Sequence, residues 1–364
     1  MQSVLTNWSQ VEVNTSALCH NISCFRSLIG EKRLLVVVKS EGYGHGLELA
    51  AKAFIDGGAD LLGVHSFVEA ARLRTAGITI PIIILGPVNS EEAVQAESLD
   101  LEITVASIFA AEQASGSAKV HLKIETGVNR QGLVENELKQ AVQIIGVDRI
   151  AGISSHYANI EDTTDHSFAR QQTAKFENAV ELLTELGATD LEKHMSCSAA
   201  AILWPEAERQ IVRVGVSAYG IWPSRETLVT AKGKLELRPA MRWTCKISQI
   251  RNVPAGETVG YGRSWAAPID SRIAVLPIGY ADGYPRSLSG RSHVLINGQQ
   301  APVRGRVCMN LIMVDVTNIP EAKAGDSAVL LGDEITAEKM ADWLNTIPYE
   351  VLTLPSATLP RVEV

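Results

Sequence analysis

Short apolar runs alternate with longer amphipathic segments from about residue 10 to residue 230. The runs Leu34–Val38, Leu61–His65, Pro81–Leu85, Leu101–Val105, Lys119–Ile124, Ile150–Ser155 and Ile211–Val214 have strand length, and a weaker one lies near Lys193–Ser196. Most are apolar at consecutive positions rather than at every second one. A strand buried on both faces of a parallel sheet shows that pattern. The segments between them, such as Leu47–Gly57 and Ser167–Leu186, carry apolar residues at helical spacing. Strand and helix in turn, with eight strands counting the weak one, predict a (β/α)8 barrel.

The pattern changes after about residue 235. Trp243, Cys245 and Ile247 alternate with Thr244, Lys246 and Ser248, the period of a half-exposed strand. Further strands are expected at Arg272–Pro277, His293–Ile296, Leu311–Val316 and Ala328–Leu331, separated by turn signals such as Asn297-Gly298. One helix is expected at Ala337–Leu344. The chain thus divides into a barrel over residues 11–235 and a mainly β domain over residues 236–364. No internal repeat or low-complexity stretch interrupts either part.

Composition narrows the functional classes. The chain has 364 residues, 46% of them hydrophobic, enough for a sizeable core. Its 41 acidic against 33 basic residues give a net charge of -8, which argues against general nucleic-acid binding. The first residues show no basic and apolar leader pattern, and no apolar run approaches the roughly 20 residues that span a bilayer. Five scattered cysteines suit reduced thiols, so a cytoplasmic protein that binds neither membrane nor nucleic acid is expected. Cys19 and Cys24 would sit about 140° apart on a helix, off one another's face.

The polar residues that follow the predicted strands share one rim of such a barrel, the rim where active sites form. After the first strand comes Lys39-Ser40-Glu41-Gly42-Tyr43-Gly44-His45-Gly46, and after the fifth Glu125-Thr126-Gly127-Val128-Asn129-Arg130. His156 follows the sixth, Ser198 the seventh, and Arg213 and Gly215 mark the eighth. A lysine at a strand end can form a Schiff base, and glycine-rich turns can offer N–H groups to a phosphate. Each feature taken singly also has a plain structural reading: a solvated strand end, a tight turn, a hydrogen-bonded histidine, an ion-paired arginine. Together they point to a barrel enzyme with a phosphate-bearing cofactor.

The segment Val36-Val-Val-Lys39-Ser-Glu-Gly-Tyr43-Gly-His-Gly46 resembles the cofactor-lysine motif of the alanine racemases, and the resemblance runs nearly end to end. His121-Leu-Lys123 with Arg130, Val212-Arg213-Val-Gly215-Val216, Val259-Gly-Tyr261-Gly-Arg263, Gly279-Tyr280-Ala-Asp282, Gly305-Arg306-Val-Cys308-Met309 and Tyr349-Glu350 are similar to further blocks of that family, in the same order. The resemblance implies a PLP-binding barrel followed by a β domain with which residues 1–10 pack. It implies a homodimer with shared active sites and pyridoxal 5′-phosphate (PLP) as cofactor. By the same resemblance Lys39 carries PLP and serves as one catalytic base, and Tyr261 of the other subunit serves as the second. Arg213 faces the pyridine nitrogen and is oriented by His156. Tyr43, Ser198, Gly215, Val216 and Tyr349 contact the phosphate. The resemblance also implies that Arg130 and Met309 place the substrate carboxylate, and it makes Lys123 a candidate for carbamylation.

Four places depart from the family's usual residues: Ser40-Glu41-Gly42 after the lysine, Cys197 before Ser198, Asn310 after Met309, and Glu161. They leave open a serine or broad-specificity racemase with the same machinery. A non-catalytic PLP-binding barrel is the reading from another class. The β domain bearing Tyr261 weighs against it. A PLP-barrel decarboxylase is disfavoured by Arg213, because decarboxylation calls for a stronger electron sink.

Overall fold

A computed structural model describes residues 8–161, 165–204, 210–332 and 334–364. The chain forms two compact units. One holds residues 16–42 and 47–238; the other holds the segment ending at Thr15, Tyr43–Gly46 and Pro239–Val364. The grouping therefore ends the N-terminal β segment at Thr15 and opens the C-terminal one at Pro239. Residues 1–7, part of the segment expected to pack with the β domain, lie outside the described residues.

Strands are numbered in chain order. Strand β1 (Ser9–Val13) belongs to the β unit. The barrel unit contains β2 (Arg33–Val37), β3 (Leu61–Val64), β4 (Ile82–Ile84), β5 (Leu101–Val105), β6 (Val120–Lys123), β7 (Ile150–Ser154), β8 (Glu192–His194) and β9 (Ile211–Val214). They form an eight-stranded parallel sheet in the order β8-β7-β6-β5-β4-β3-β2-β9. The ladder runs from β8 round to β9, so the sheet is a nearly closed barrel. Leu34, Leu35, Val36, Leu61, Leu62, Ile82, Ile83, Ile84, Ile211 and Val212 are all 0% exposed, which explains the uniformly apolar runs. Helices start where the sequence supplies caps. Ser66 and Glu69 form a reciprocal capping box before Phe67–Thr75, and Asn89 and Glu92 form one before Ser90–Ser98.

In the β unit, β1 pairs antiparallel with β10 (Met241–Lys246), from Ser9 opposite Cys245 to Val13 opposite Met241, and parallel with the C-terminal strand Arg361–Glu363. A six-stranded sheet results, beside a three-stranded sheet and a two-stranded ribbon. The expected alternation along residues 243–248 is not realised throughout, since Thr244 is buried beside Trp243 and Cys245. Its hydroxyl lies 3.1 Å from the Glu12 carboxylate, so a polar side chain is accommodated inside. Trp243 Nε1 donates to Ser9 Oγ at 3.2 Å, tying the core tryptophan to the N-terminal strand. The helix Ala337–Leu344 forms where it was expected. Among the described residues no helix is long and apolar enough to cross a membrane.

Candidate active site

Lys39 stands two residues past the end of β2, and the chain then turns left-handed. Ser40, Glu41, Gly42 and Tyr43 have φ of 56°, 54°, 58° and 49°. Consecutive left-handed residues are strained for L-amino acids, so this turn needs support. Ser40 N–H donates to Glu69 Oε1 at 2.6 Å, and the same carboxylate caps His65 N at 2.7 Å. Arg72 bridges Glu41 and Glu48. The helix Phe67–Thr75 thus holds the turn through Glu69 and Arg72, neither of which the sequence had singled out.

Four cations gather on this rim. Burial lowers the Lys39 amine, and Arg130 lowers it further against the opposing pull of Glu69. The Lys123 amine is brought down to about 8 by burial, then by Arg213, Arg130 and Lys39, with Glu125 opposing. Glu125 accepts Gly127 N–H at 2.5 Å and Arg130 N–H at 3.2 Å, fixing the loop that carries Arg130. Burial alone would raise its carboxyl, but the backbone N–H groups of Asn129, Gly127, Arg130 and Val128 bring it below the usual range. Lys123, Arg130, Ser155 and His156 line one small recess.

Arg213 is buried at the end of β9. Its Nη2 donates to Ser155 O at 2.6 Å and Met195 O at 3.1 Å, and lies 3.2 Å from His156 Nδ1. Burial lowers this guanidinium to about 10, still protonated at neutral pH. His156 is lowered to about 3 by burial and then by Arg213, Arg130, Lys123 and Lys39, so it is neutral and its Nδ1 is free to accept. Buried Gln172 holds His156 by donating to its carbonyl at 3.0 Å, and also reaches Thr126 Oγ1 at 3.1 Å. Ser198 Oγ accepts Gly215 N–H at 3.0 Å, next to the short turn Val216–Tyr219.

The structure therefore brings Lys39, Lys123, Arg130, His156, Ser198, Arg213, Gly215 and Val216 into one unit. The other expected residues belong to the β unit. Tyr43 is lifted to about 12 by burial and stays a hydroxyl donor. Tyr261 sits in a turn between Gly260 and Gly262, with φ of 76° and 70°, and is 71% exposed. Met309 is also exposed, and Tyr349 lies in the short helix Pro348–Leu352. A wide depression of the barrel unit lies instead at the start of β2 and β8, lined by Ile29, Arg33, Leu191, Glu192 and Gln210. It lacks the four gathered cations, and we place the chemistry at the rim.

A barrel whose rim gathers a lysine of lowered pKa and three further cations offers a place for anionic groups. Comparison with known proteins narrows the class. Residues 13–223 match the N-terminal domain of alanine racemase and residues 240–363 its C-terminal domain. An alanine racemase of Desulforamulus reducens is 38% identical, with 96% of this chain and 97% of that protein covered. One of Leptospira interrogans is 33% identical over 100% and 97%. The solved alanine racemase of Clostridium difficile superposes with a TM-score of 0.92 at 32% identity, covering 99% of this chain and 96% of that one. The Bacillus anthracis enzyme, solved with bound L-Ala-P, gives 0.92 at 30% identity over 98% and 95%. The chain belongs to the alanine racemase family.

Proposed function

We propose that this chain interconverts L- and D-alanine as a PLP-dependent homodimer with shared active sites. The observation that carries the reading is the convergence of Lys39, Lys123, Arg130 and Arg213 on one rim. Beyond the effect of burial, Arg130 lowers the Lys39 amine, and Arg213, Arg130 and Lys39 lower that of Lys123, so the cluster calls for anions, and the cofactor's phosphate with the substrate's carboxylate would supply them. A lysine that sheds its proton readily suits attachment to an aldehyde. PLP, when bound, draws electron density from the amino acid's α-carbon so that its α-hydrogen can leave as a proton.

The residues divide the remaining work. Lys39 would hold the cofactor, then take or return the α-proton on one face of the α-carbon. Tyr261 of the partner subunit would do so on the opposite face, since inversion removes a proton from one side and returns it on the other. Arg213 is a donor only, so toward a pyridine nitrogen it would donate and keep that nitrogen unprotonated. Neutral His156 would hold Arg213 in place. Tyr43, Ser198, Gly215, Val216 and Tyr349 would meet the phosphate, and Arg130 and Met309 the carboxylate. A carbamate on Lys123 would replace a cation by an anion among Arg130, Arg213 and Lys39, relieving their repulsion.

The test is an assay of the purified chain with PLP on L-alanine, L-serine and L-lysine, with the D-enantiomers separated by chiral chromatography. D-Alanine should form with the highest kcat/KM. Faster inversion of serine would favour the broad-specificity reading, and no inversion of any substrate would overturn the proposal.

A further inference from the structure

A line of hydrogen bonds runs from Arg213 into the barrel, through side chains that the racemisation scheme does not use. Arg213 Nη1 lies 3.2 Å from His194 Nδ1, His194 Nε2 lies 3.0 Å from His121 Nδ1, and His121 Nε2 lies 2.6 Å from Glu102 Oε2. His121 and His194 are 0% and 1% exposed, and their rings meet edge to face with centroids 5.0 Å apart.

Donor and acceptor counting assigns every proton in this line. A guanidinium only donates. His194 Nδ1 therefore accepts, which puts its proton on Nε2. That N–H donates to His121 Nδ1, so the His121 proton is also on Nε2, from which it donates to the Glu102 carboxylate. Turning either ring over would set two donors or two acceptors against each other, inside a barrel where an unmatched polar atom costs about 1–3 kcal/mol. Burial, then His121 and Arg213, hold His194 well below its ordinary pKa, so it adds no competing charge.

The barrel leaves room for this line. Gly152 of β7 stands opposite His121 of β6, and a Cβ at Gly152 would lie 2.3 Å from His121 Nδ1. Among the described residues, the hydrogen-bond acceptors on Arg213 are carbonyls and imidazoles. The carboxylate joined to it by hydrogen bonds is Glu102, two rings away.

We propose that Glu102, acting through His121 and His194, is a positioning residue for Arg213: the carboxylate fixes both imidazole tautomers and thereby the orientation of the guanidinium at the rim. This rests on the reading of Arg213 as the partner of the cofactor's pyridine nitrogen. Without the carboxylate, both rings can exchange tautomers, His194 Nδ1 can carry a proton toward Arg213, and the guanidinium loses one acceptor. A guanidinium less firmly held leaves the cofactor nitrogen freer to gain a proton, which favours abortive transamination over racemisation.

The first measurement uses the full-length holoenzyme and histidine ring ¹⁵N–¹H correlation spectra. His121 and His194 should each show a single Nε2–H tautomer. The second compares Glu102→Leu with Glu102→Gln, which keeps an acceptor for His121. Glu102→Leu should mix the tautomers and raise pyridoxamine phosphate formed per racemisation event by about tenfold, the factor that 1.4 kcal/mol represents. Glu102→Gln should restore most of both properties. An Nδ1–H tautomer at either ring in the native enzyme overturns the proposal, and so does a folded Glu102→Leu with native tautomers and native partitioning. Should Glu102→Leu not fold, the native spectrum and the Glu102→Gln partition ratio decide. A native holoenzyme that racemises nothing would instead refute the functional reading, while its ring spectra would still test the line.

Discussion

Replacing Lys123 with methionine should make the protein more stable when carbon dioxide is absent. The amine is half-buried and is brought from its ordinary 10.5 to about 8 by burial and by Arg213, Arg130 and Lys39. At about 1.4 kcal/mol for each unit of pKa, that difference is worth at most about 3.4 kcal/mol. Solvent still reaches the side chain, so screening reduces the figure to roughly 1–2 kcal/mol. The folded-state pKa lies below the unfolded one. The penalty is therefore absent above about pH 10.5, where the amine is neutral in both states, and grows to full size as the pH falls through about 8. Urea denaturation of cofactor-free protein in CO₂-depleted buffer should show Lys123→Met more stable than native at pH 7, with the gap closing by about pH 10.5. Adding bicarbonate should reverse the order at pH 7. The neutral amine adds CO₂, loses one proton, and becomes a carbamate anion among three cations. With ¹³C-bicarbonate the native protein should then show a carbamate carbonyl resonance that Lys123→Met lacks. If Lys123→Met is the less stable protein at pH 7 without CO₂, the repulsion inferred at this rim is wrong.

Three further outcomes are expected. Borohydride reduction of the holoenzyme followed by peptide mapping should place the pyridoxyl group on Lys39, and Lys39→Ala should carry none; a label on any other lysine contradicts the assignment. Ser40→Gly should raise stability by about 1 kcal/mol in thermal unfolding, because relief of about 1–2 kcal/mol of left-handed strain exceeds the added freedom of the unfolded chain; a loss of stability would show that the turn is not strained at Ser40. Mixing inactive Lys39→Ala with inactive Tyr261→Phe should restore activity once subunits exchange, because hybrid dimers carry one intact site; no recovery after demonstrated exchange counts against shared sites.

Much of the barrel is legible in the chain because most of its strands are apolar at consecutive positions, and only burial on both faces produces that pattern. β8 is the instructive exception. It was expected near Lys193–Ser196 and forms at Glu192–His194, since Glu192 pairs with Arg33 and His194 bonds to His121. Hydropathy cannot register a strand whose polar side chains are satisfied by partners far along the chain. The same holds for β1, Ser-Gln-Val-Glu-Val, whose antiparallel partner lies more than 200 residues away at Met241–Lys246. At the site, Lys39, Arg130, His156 and Arg213 stand out because each follows or ends a strand. Glu69, Arg72, Gln172 and Glu102 do not. They act on other residues, and only the fold brings them into reach.

The central claim is that Lys39 and Tyr261 work on opposite faces of one α-carbon, and hydrogen exchange tests it most directly. The measurement is α-deuterium incorporation into L- and D-alanine in D₂O, followed by proton NMR, for the native enzyme and for Tyr261→Phe with PLP bound. We propose the D face for the lysine and the L face for the tyrosine. Tyr261→Phe should lose exchange from L-alanine while exchange from D-alanine survives in part, and racemisation should fall by at least about 10²–10⁴-fold. Equal loss of exchange from both enantiomers, with the cofactor still bound, would contradict the two-face arrangement.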